Sequence, residues 1–344
     1  FTQTDESPIE VSQRYEIEAD SFGVFDQRYP FAGTPNAWVQ VGIVSLVKPL
    51  RETIIETTTE AQTVNDDVAT IDRAQIEWVA LDSDHDSYVC RVNWISNSTQ
   101  LAIQVQTHNQ QKLELKIWNC NNTSPQQAAK TVLTETSETW VNLHNCFRSL
   151  KDPNLFIWAS EKSGFNHLYI ESIDGHRSQQ LTEGNWVIQS LLGCDEARSL
   201  VFFSGLRDTP LESHLYSIKL ESGSAHENEP QLISAPGFNH QFQPSKGATY
   251  FIDRFSNSDQ PPAVNLIDAD GNTIVEIHIN SLNDVHPFKP YVSTRAEIEY
   301  GTLEANDGQQ LHYRLFKPQA ASLDKNSRFP VIVVVYGGPG VQRI

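Results

Sequence analysis

The feature that most constrains the fold of this chain is a hydrophobic pattern that returns about every 50 residues, with 47 and 50 residues between matching positions of its last three copies. Each copy has a strand-like run, a polar loop and a second strand-like run, with apolar residues alternating along each run. The copies occupy residues 101–117, 156–170, 201–218 and 250–267. This period is typical of β-propeller blades, which are small antiparallel sheets that bury their faces against neighbouring blades. A β-sandwich also consists of short strands, but it does not repeat one pattern at a fixed spacing. We therefore predict a mainly β fold with a propeller over residues 1–290.

The pattern changes after Pro290. Two alternating runs at 297–303 and 311–316 flank Asn306-Asp307-Gly308, a sequence typical of a tight hairpin turn. A continuous run of mostly β-branched residues follows at 329–336, as in strands that are buried on both faces of an α/β sheet. The sequence therefore predicts that residues 291–344 begin a second domain and that 329–336 is one of its buried strands.

Composition narrows the function classes. The 43 acidic residues outnumber the 25 basic ones, and the net charge of −18 argues against binding to nucleic acid or to anionic membranes. The apolar run at 329–336 is far shorter than the roughly 20 residues that cross a bilayer. The chain begins with Phe1 and contains no Met, so we expect it to be a piece of a longer protein.

The four cysteines do not form a metal-binding pattern. They are Cys90, Cys120, Cys146 and Cys194, and no Cys-x-x-Cys pair or paired histidines accompany them. We expect them to be mostly buried free thiols, and we expect no metal and no other cofactor.

Five short motifs occur in an order that resembles one peptidase family. They are Asp5-Glu6-Ser7-Pro8; Gln27-Arg28-Tyr29-Pro30 with Ala32-Gly33 and Asn36; Trp158-Ala159-Ser160-Glu161 with Gly164 and His167-Leu168-Tyr169; Leu181-Thr182 with Gly184 and Trp186; and Val335-Tyr336-Gly337-Gly338-Pro339. Together they span almost the whole chain and resemble the dipeptidyl peptidase IV family of the prolyl oligopeptidase clan, in its bacterial form.

The resemblance implies an eight-bladed propeller, partly missing here, followed by the first strands of an α/β-hydrolase domain with a Ser, Asp, His triad. It implies a serine exopeptidase that releases dipeptides from peptides with a free N-terminus, preferring Pro or Ala at the second position. The propeller would gate and orient the peptide. The resemblance also implies a homodimer in the intact enzyme and a periplasmic or secreted location, with the cytoplasm as the alternative.

Three residues match functional positions of that family. Tyr336 matches the tyrosine whose hydroxyl helps to form the oxyanion hole, and Phe147-Arg148 resembles a Phe-Arg pair that reaches the substrate pocket. The structural alternatives are a tyrosine that caps a core strand and a loop arginine in a surface ion pair. The family's pair of amine-binding glutamates should precede Phe1, so Asp5-Glu6 is a different motif.

The sequence leaves other functions open. No Gly-x-Ser-x-Gly motif is present, so no triad can be assembled from these 344 residues, and the chain alone should be inactive. His144, His167, His214 and His240 recur in separate repeats, which favours a structural role.

A stand-alone propeller that binds other proteins is one alternative function for the chain. An oligopeptidase, tripeptidyl peptidase or acylaminoacyl peptidase of the same architecture is another.

Overall fold

A computed structural model describes residues 1–44, 76–82, 86–95, 98–121, 128–220, 228–318 and 328–338. About half of the chain is β-strand, and its helical content is 2%. The chain divides into two compact units. The first comprises Phe1–His144, Arg148–Ile157 and Ile170–Ser178, and the second Asn145–Phe147, Trp158–Tyr169 and Gln179–Ile344. The division into these two units does not test the domain boundary predicted at residue 290, which stays a prediction.

The first part of the chain forms a three-stranded sheet and a separate hairpin. The strands are β1 (Thr2–Asp5), β2 (Val11–Ile17), β3 (Phe22–Arg28), β4 (Trp38–Val44) and β5 (Ile76–Trp78). The sheet has the order β1-β4-β5, and β2 pairs with β3 alone. The Arg28 guanidinium donates hydrogen bonds to the carbonyl oxygens of Ser7 and Ile9, which ties the end of the hairpin back to the loop after β1.

Four four-stranded sheets follow, each built from strands that are consecutive in sequence. Their strands are β6 (Tyr88–Ile95), β7 (Gln100–Gln106), β8 (Lys112–Asn119) and β9 (Lys130–Thr136); β10 (Arg148–Ser149), β11 (Leu155–Ser160), β12 (His167–Ser172) and β13 (Ser178–Gln180); β14 (Ile188–Asp195), β15 (Leu200–Gly205), β16 (His214–Lys219) and β17 (Gln231–Leu232); and β18 (Asn239–Pro244), β19 (Tyr250–Ser256), β20 (Ala263–Asp268) and β21 (Thr273–His278). The predicted repeats are the two middle strands of each sheet. The prediction of propeller blades is therefore confirmed.

The blades bury apolar faces against each other because a single sheet cannot cover its own faces. In the first unit, Val41 and Val79 pack against Leu101, Ile103 and Trp118 of the β6–β9 sheet. In the second unit, side chains of the β14–β17 sheet pack against those of the β18–β21 sheet. The residues of that second cluster are Phe202, Leu215, Ala248, Phe251, Ile267 and Ala269.

Backbone hydrogen bonds also join successive blades of the second unit. Ile188, at the start of β14, donates its N–H to the Asn166 carbonyl at 2.9 Å and accepts from the Asn166 side chain at 2.7 Å. In the next blade, His240 donates its N–H to the Ser213 carbonyl at 3.0 Å. The residue before the third strand of one blade therefore holds the first strand of the next.

Each of two consecutive blades has the same buried contact between a histidine and a hydroxyl group. Thr182 Oγ1 lies 3.0 Å from His167 Nδ1 and accepts the Leu168 N–H, also at 3.0 Å. Ser234 Oγ lies 2.9 Å from His214 Nδ1 and accepts the Leu215 N–H at 3.1 Å. We call this arrangement the histidine–hydroxyl clasp. It ties the third strand of the blade to the segment that leaves it.

The chain then passes to a different kind of structure. A 3₁₀ helix spans Lys289–Thr294, and the strands β22 (Glu297–Glu304) and β23 (Gln310–Lys317) form an antiparallel hairpin. Its turn contains Gly308 with a φ of 83°, a conformation that favours glycine. The hairpin predicted around Asn306-Asp307-Gly308 is confirmed.

In this structure the run at 329–336 forms no strand, and Val331 and Ile332 are 74% and 89% exposed. That the run becomes a buried strand of a second domain stays a prediction. A strand buried on both faces needs hydrogen-bonded strands beside it and helices above and below it. The described residues provide neither, so the apolar pattern is present without its surroundings. Pro339, the last residue of the Tyr-Gly-Gly-Pro motif, lies outside the described residues.

The clasp predicts a loss of stability when its hydroxyl is removed. Thr182→Val keeps the shape of a fully buried side chain but leaves the Leu168 N–H and His167 Nδ1 without a partner. We expect the free energy of unfolding in urea to fall by about 2 to 4 kcal/mol. Thr249→Val, at an exposed position, is the control and should change it by less than about 0.5 kcal/mol. Equal losses in the two variants would contradict the role of the clasp.

Candidate functional site

Phe147 and Arg148 lie where the chain enters the β10–β13 blade. The half-buried ring of Phe147 meets the Trp158 ring edge to face, with centroids 6.4 Å apart and an angle of 74° between the planes. Trp158 is completely buried in β11, so it is a rigid support for Phe147. Nothing in the sequence pattern of Phe147-Arg148 alone predicted this support. Trp158 lies in β11, which is apolar except for Ser160, and this pattern could have predicted the burial of Trp158 but not its contact with Phe147.

Arg148 is the first residue of β10, an edge strand of its sheet, and lies opposite Ile157. Its side chain is half-buried. Paired residues of an antiparallel sheet project to the same face, so Arg148 and Ile157 share one face of the blade. An arginine here offers several N–H donors in a planar array, which suits the binding of carbonyl or carboxylate oxygens.

Tyr336 is in the extended segment 328–338 and is 59% exposed. Phe147 and Tyr336 belong to the second compact unit and Arg148 to the first. Within the second unit, the structure brings Phe147 together with Trp158. The roles predicted for all three residues stay predictions.

The recurring histidines are held by neighbours that leave them no catalytic role. His167 Nε2 lies 2.9 Å from the Gly184 carbonyl oxygen, which can only accept, so this nitrogen carries the proton. His167 Nδ1 then accepts from the Thr182 hydroxyl. In the next blade, His214 Nε2 lies 2.9 Å from Glu212 Oε2 and takes the same tautomer. Both rings are almost fully buried, which confirms the structural role predicted for them.

In the β18–β21 blade, His240 contacts an aspartate, Asp253. Its Nδ1 lies 2.9 Å from Asp253 Oδ1, and its Nε2 donates to the Ala235 carbonyl at 2.8 Å. A catalytic histidine needs one ring nitrogen that faces the nucleophile. Because both nitrogens of the buried His240 ring are occupied, this pair holds the blade together and does not serve as a general base.

A series of contacts between aromatic rings runs from His167 to Tyr216 in the second unit. His167 contacts Trp186 edge to face at 4.9 Å, and Trp186 stacks on Phe203 at 6.0 Å. Phe203 stacks in turn on Tyr216 at 5.5 Å. The Tyr216 hydroxyl donates to Asp208 at 3.0 Å, and burial together with this carboxylate raises the pKa of Tyr216 above its ordinary value. Tyr216 therefore stays protonated and acts as a structural donor.

The cysteines do not provide a nucleophile either. All four are free thiols, as predicted, and Cys146 and Cys194 are buried. Burial raises the pKa of Cys146 to about 11, so almost none of it is thiolate at neutral pH. Within the described ranges, no three His, Cys, Asp or Glu side chains come together to hold a metal ion. No helix in the described part of the chain is long and apolar enough to cross a membrane.

Comparison with known proteins gives a consistent result. The sequence family described as "Dipeptidyl peptidase IV (DPP IV) N-terminal region" matches residues 1–262. Dipeptidyl peptidase 8 of Mus musculus is 27% identical over 403 residues, which cover 100% of this chain and 42% of that protein. Dipeptidyl aminopeptidase A of Saccharomyces cerevisiae is 25% identical and covers 75% of this chain and 29% of that protein. The chain therefore spans less than half the length of these relatives.

Solved structures agree with the sequence comparison. A putative dipeptidyl aminopeptidase IV from Bacteroides ovatus aligns with a TM-score of 0.76 and 26% identity, covering 99% of this chain and 46% of that one. Porphyromonas gingivalis dipeptidyl peptidase 4 aligns with a TM-score of 0.72 and covers 92% of this chain and 40% of that one. At 18% identity, the second likeness shows the fold alone.

The surroundings of His167 predict how stability depends on pH. Burial lowers the pKa of His167 below its ordinary value of 6.5, against the opposing effects of the Gly184 carbonyl and Glu183. The unfolded chain therefore binds a proton at a higher pH than the folded chain, and stability is lost as the pH falls below about 6.5. We expect the free energy of unfolding in urea to fall less between pH 7.5 and pH 5.5 in His167→Gln than in the unchanged protein. Identical pH dependence in the two proteins would contradict this assignment.

Proposed function

The chain belongs to the dipeptidyl peptidase IV family, and we propose that it is the propeller-containing part of a serine exopeptidase that removes dipeptides from peptide N-termini. The observation that carries this proposal is the match of the N-terminal region of that family over residues 1–262. Relatives with the names dipeptidyl peptidase and dipeptidyl aminopeptidase support it. We further propose a preference for Pro or Ala at the second position of the substrate and, after residue 290, the first strands of an α/β-hydrolase domain.

In this proposal the propeller gates and orients the peptide. Phe147 rests on the buried Trp158, so its ring can pack against a substrate side chain without losing much conformational freedom on binding. Arg148, next in the chain, donates hydrogen bonds to a peptide carbonyl from the edge of the blade. A fixed apolar contact beside a fixed donor selects one orientation of an extended peptide.

Tyr336 supplies the chemistry that this chain contributes. When a serine attacks the scissile carbonyl, its oxygen gains negative charge and needs a donor about 3 Å away. The Tyr336 hydroxyl is such a donor, and two glycines follow it in the chain. The nucleophile, the base and the group that orients the base come from a part of the enzyme outside these 344 residues.

The competing functions have less support. A stand-alone propeller scaffold accounts for the blades but not for the hairpin β22–β23 and the apolar run that follow them. An oligopeptidase, tripeptidyl or acylaminoacyl peptidase would share the architecture, and the names of the relatives favour the dipeptidyl activity. A homodimer and a periplasmic or secreted location stay predictions.

The first prediction of this proposal concerns the oxyanion donor. In the complete enzyme, Tyr336→Phe should lower kcat by about 10² to 10³ and change KM little, because the donor acts only on charge that develops in the transition state. Steady-state kinetics on a Gly-Pro chromogenic substrate measures both constants. An unchanged kcat would exclude the role.

The second prediction concerns substrate binding. Arg148→Ala should raise KM more than it lowers kcat, with a loss of about 1 to 3 kcal/mol in binding, because the guanidinium holds the substrate carbonyl before and during the reaction. Arg198→Ala is the matched control, since that arginine pairs with the exposed Asp270. If the two variants have the same KM, Arg148 does not bind substrate.

The third prediction tests the architecture. The purified 344-residue chain should release no dipeptide from a Gly-Pro substrate and take no label from a fluorophosphonate serine probe, while the complete enzyme does both. Covalent labelling of a serine in this chain, with turnover above background, would show that the nucleophile lies inside it.

A further inference from the structure

The two glycines that follow Tyr336 have different surroundings. A Cβ atom added to Gly338 would lie 2.5 Å from Tyr336 Cε1, and 2.9 Å from both Cζ and the hydroxyl oxygen. Contacts this short do not occur between real Cβ atoms and aromatic rings. A Cβ atom added to Gly337 would meet no described atom within 4 Å outside its two neighbours in the chain, Tyr336 and Gly338. The Tyr336 ring lies directly over the backbone of Gly338.

The requirement for glycine at 338 is one of space. Neither Gly337 nor Gly338 has a positive φ, so an alanine at either position would adopt the same backbone conformation without strain. At Gly338 an alanine would have to displace the ring of Tyr336, because the nearest atoms belong to a rigid phenol. At Gly337 it would meet no described atom beyond its two neighbours in the chain.

The same arrangement recurs in the hairpin β22–β23. A Cβ atom on Gly301 would clash with the hydroxyl oxygen of Tyr313, its partner across the two strands. In both places a glycine, which has no side chain, leaves room for a tyrosine ring to lie against the backbone. Gly301 and Tyr313 provide an internal comparison, because they take no part in the proposed chemistry.

We propose that Gly338 is a positioning residue that fixes the hydroxyl of Tyr336 in the place where an oxyanion donor is needed. This inference rests on the proposed function. A side chain at 338 moves the ring off the backbone. Rotation of the side chain about the Cα–Cβ bond moves the hydroxyl further than any other atom of the ring, because the hydroxyl is the atom furthest from that bond. Donors of this kind act only within a few tenths of an ångström of their best position, and a shift of about 1 Å costs about a hundredfold in rate.

The kinetic test compares four variants of the complete enzyme: Gly338→Ala, Gly337→Ala, Tyr336→Phe and the double variant Gly338→Ala/Tyr336→Phe. We expect Gly338→Ala to lower kcat by about ten- to a hundredfold and to leave KM within about twofold. Gly337→Ala should keep both constants within about twofold. The double variant should be no slower than Tyr336→Phe, because a displaced hydroxyl and a missing one remove the same interaction. Equal activity of Gly338→Ala and Gly337→Ala, or additive losses in the double variant, would overturn the proposal.

A second measurement separates this inference from the oxyanion role. With 3-fluorotyrosine at position 336, the ¹⁹F chemical shift reports the surroundings of the ring whether or not the hydroxyl takes part in catalysis. We expect Gly338→Ala to shift this signal, and Gly337→Ala and Gly301→Ala to leave it in place. If Tyr336→Phe keeps full activity while the signal shifts only in Gly338→Ala, the oxyanion role is wrong and the positioning by Gly338 stands. A signal that is the same in Gly338→Ala and Gly337→Ala would overturn the positioning. Gly301→Ala places a methyl group under a different tyrosine ring, that of Tyr313, and so controls for indirect effects of such a change on the Tyr336 signal.

Discussion

Packing between successive blades is the interaction on which the rest of the second unit depends. Phe202 of one blade meets Phe251 of the next with ring centroids 5.3 Å apart, in a cluster that neither sheet could bury alone. A four-stranded sheet has two apolar faces, so each blade is stable only between neighbours. The hydrogen bonds from Asn166 to Ile188, and from His240 to Ser213, then set the spacing of the sheets at the end where the blades are joined. The histidine–hydroxyl clasps act at this same end.

This rigidity matters for the loops because a binding residue is only as well placed as the strand that supports it. Phe147 precedes a strand of two residues, Arg148–Ser149, which is too short to hold a side chain by itself. The contact with Trp158 transfers the rigidity of the buried strand β11 to Phe147. The polar groups within the blades are nearly all used in such support, which is why their histidines are poor candidates for catalysis.

The repeat predicted the middle strands of the blades well because most of them are largely buried, and β19 alternates buried and exposed residues, so their patterns need no other information. Two of the edge strands, Arg148–Ser149 and Gln231–Leu232, have only two residues each and carry no pattern of their own. The support of Phe147 by Trp158 joins residues whose contact depends on tertiary packing, so no local signal contained it. The run at 329–336 has a pattern typical of a buried strand, but a pattern cannot supply the neighbouring strands and helices that create a buried environment. Its burial in a second domain therefore stays a prediction.

The candidate site therefore divides between two kinds of structure. Phe147 is positioned by the buried Trp158, whereas Tyr336 lies on an exposed segment. The contact of the Tyr336 ring with Gly338 is set locally. A donor whose direction is set by its own neighbours in sequence can keep that direction while the surrounding sheet forms, since the contact spans only two residues. The remaining requirement, its distance from a reacting carbonyl, depends on how the sheet places the whole segment.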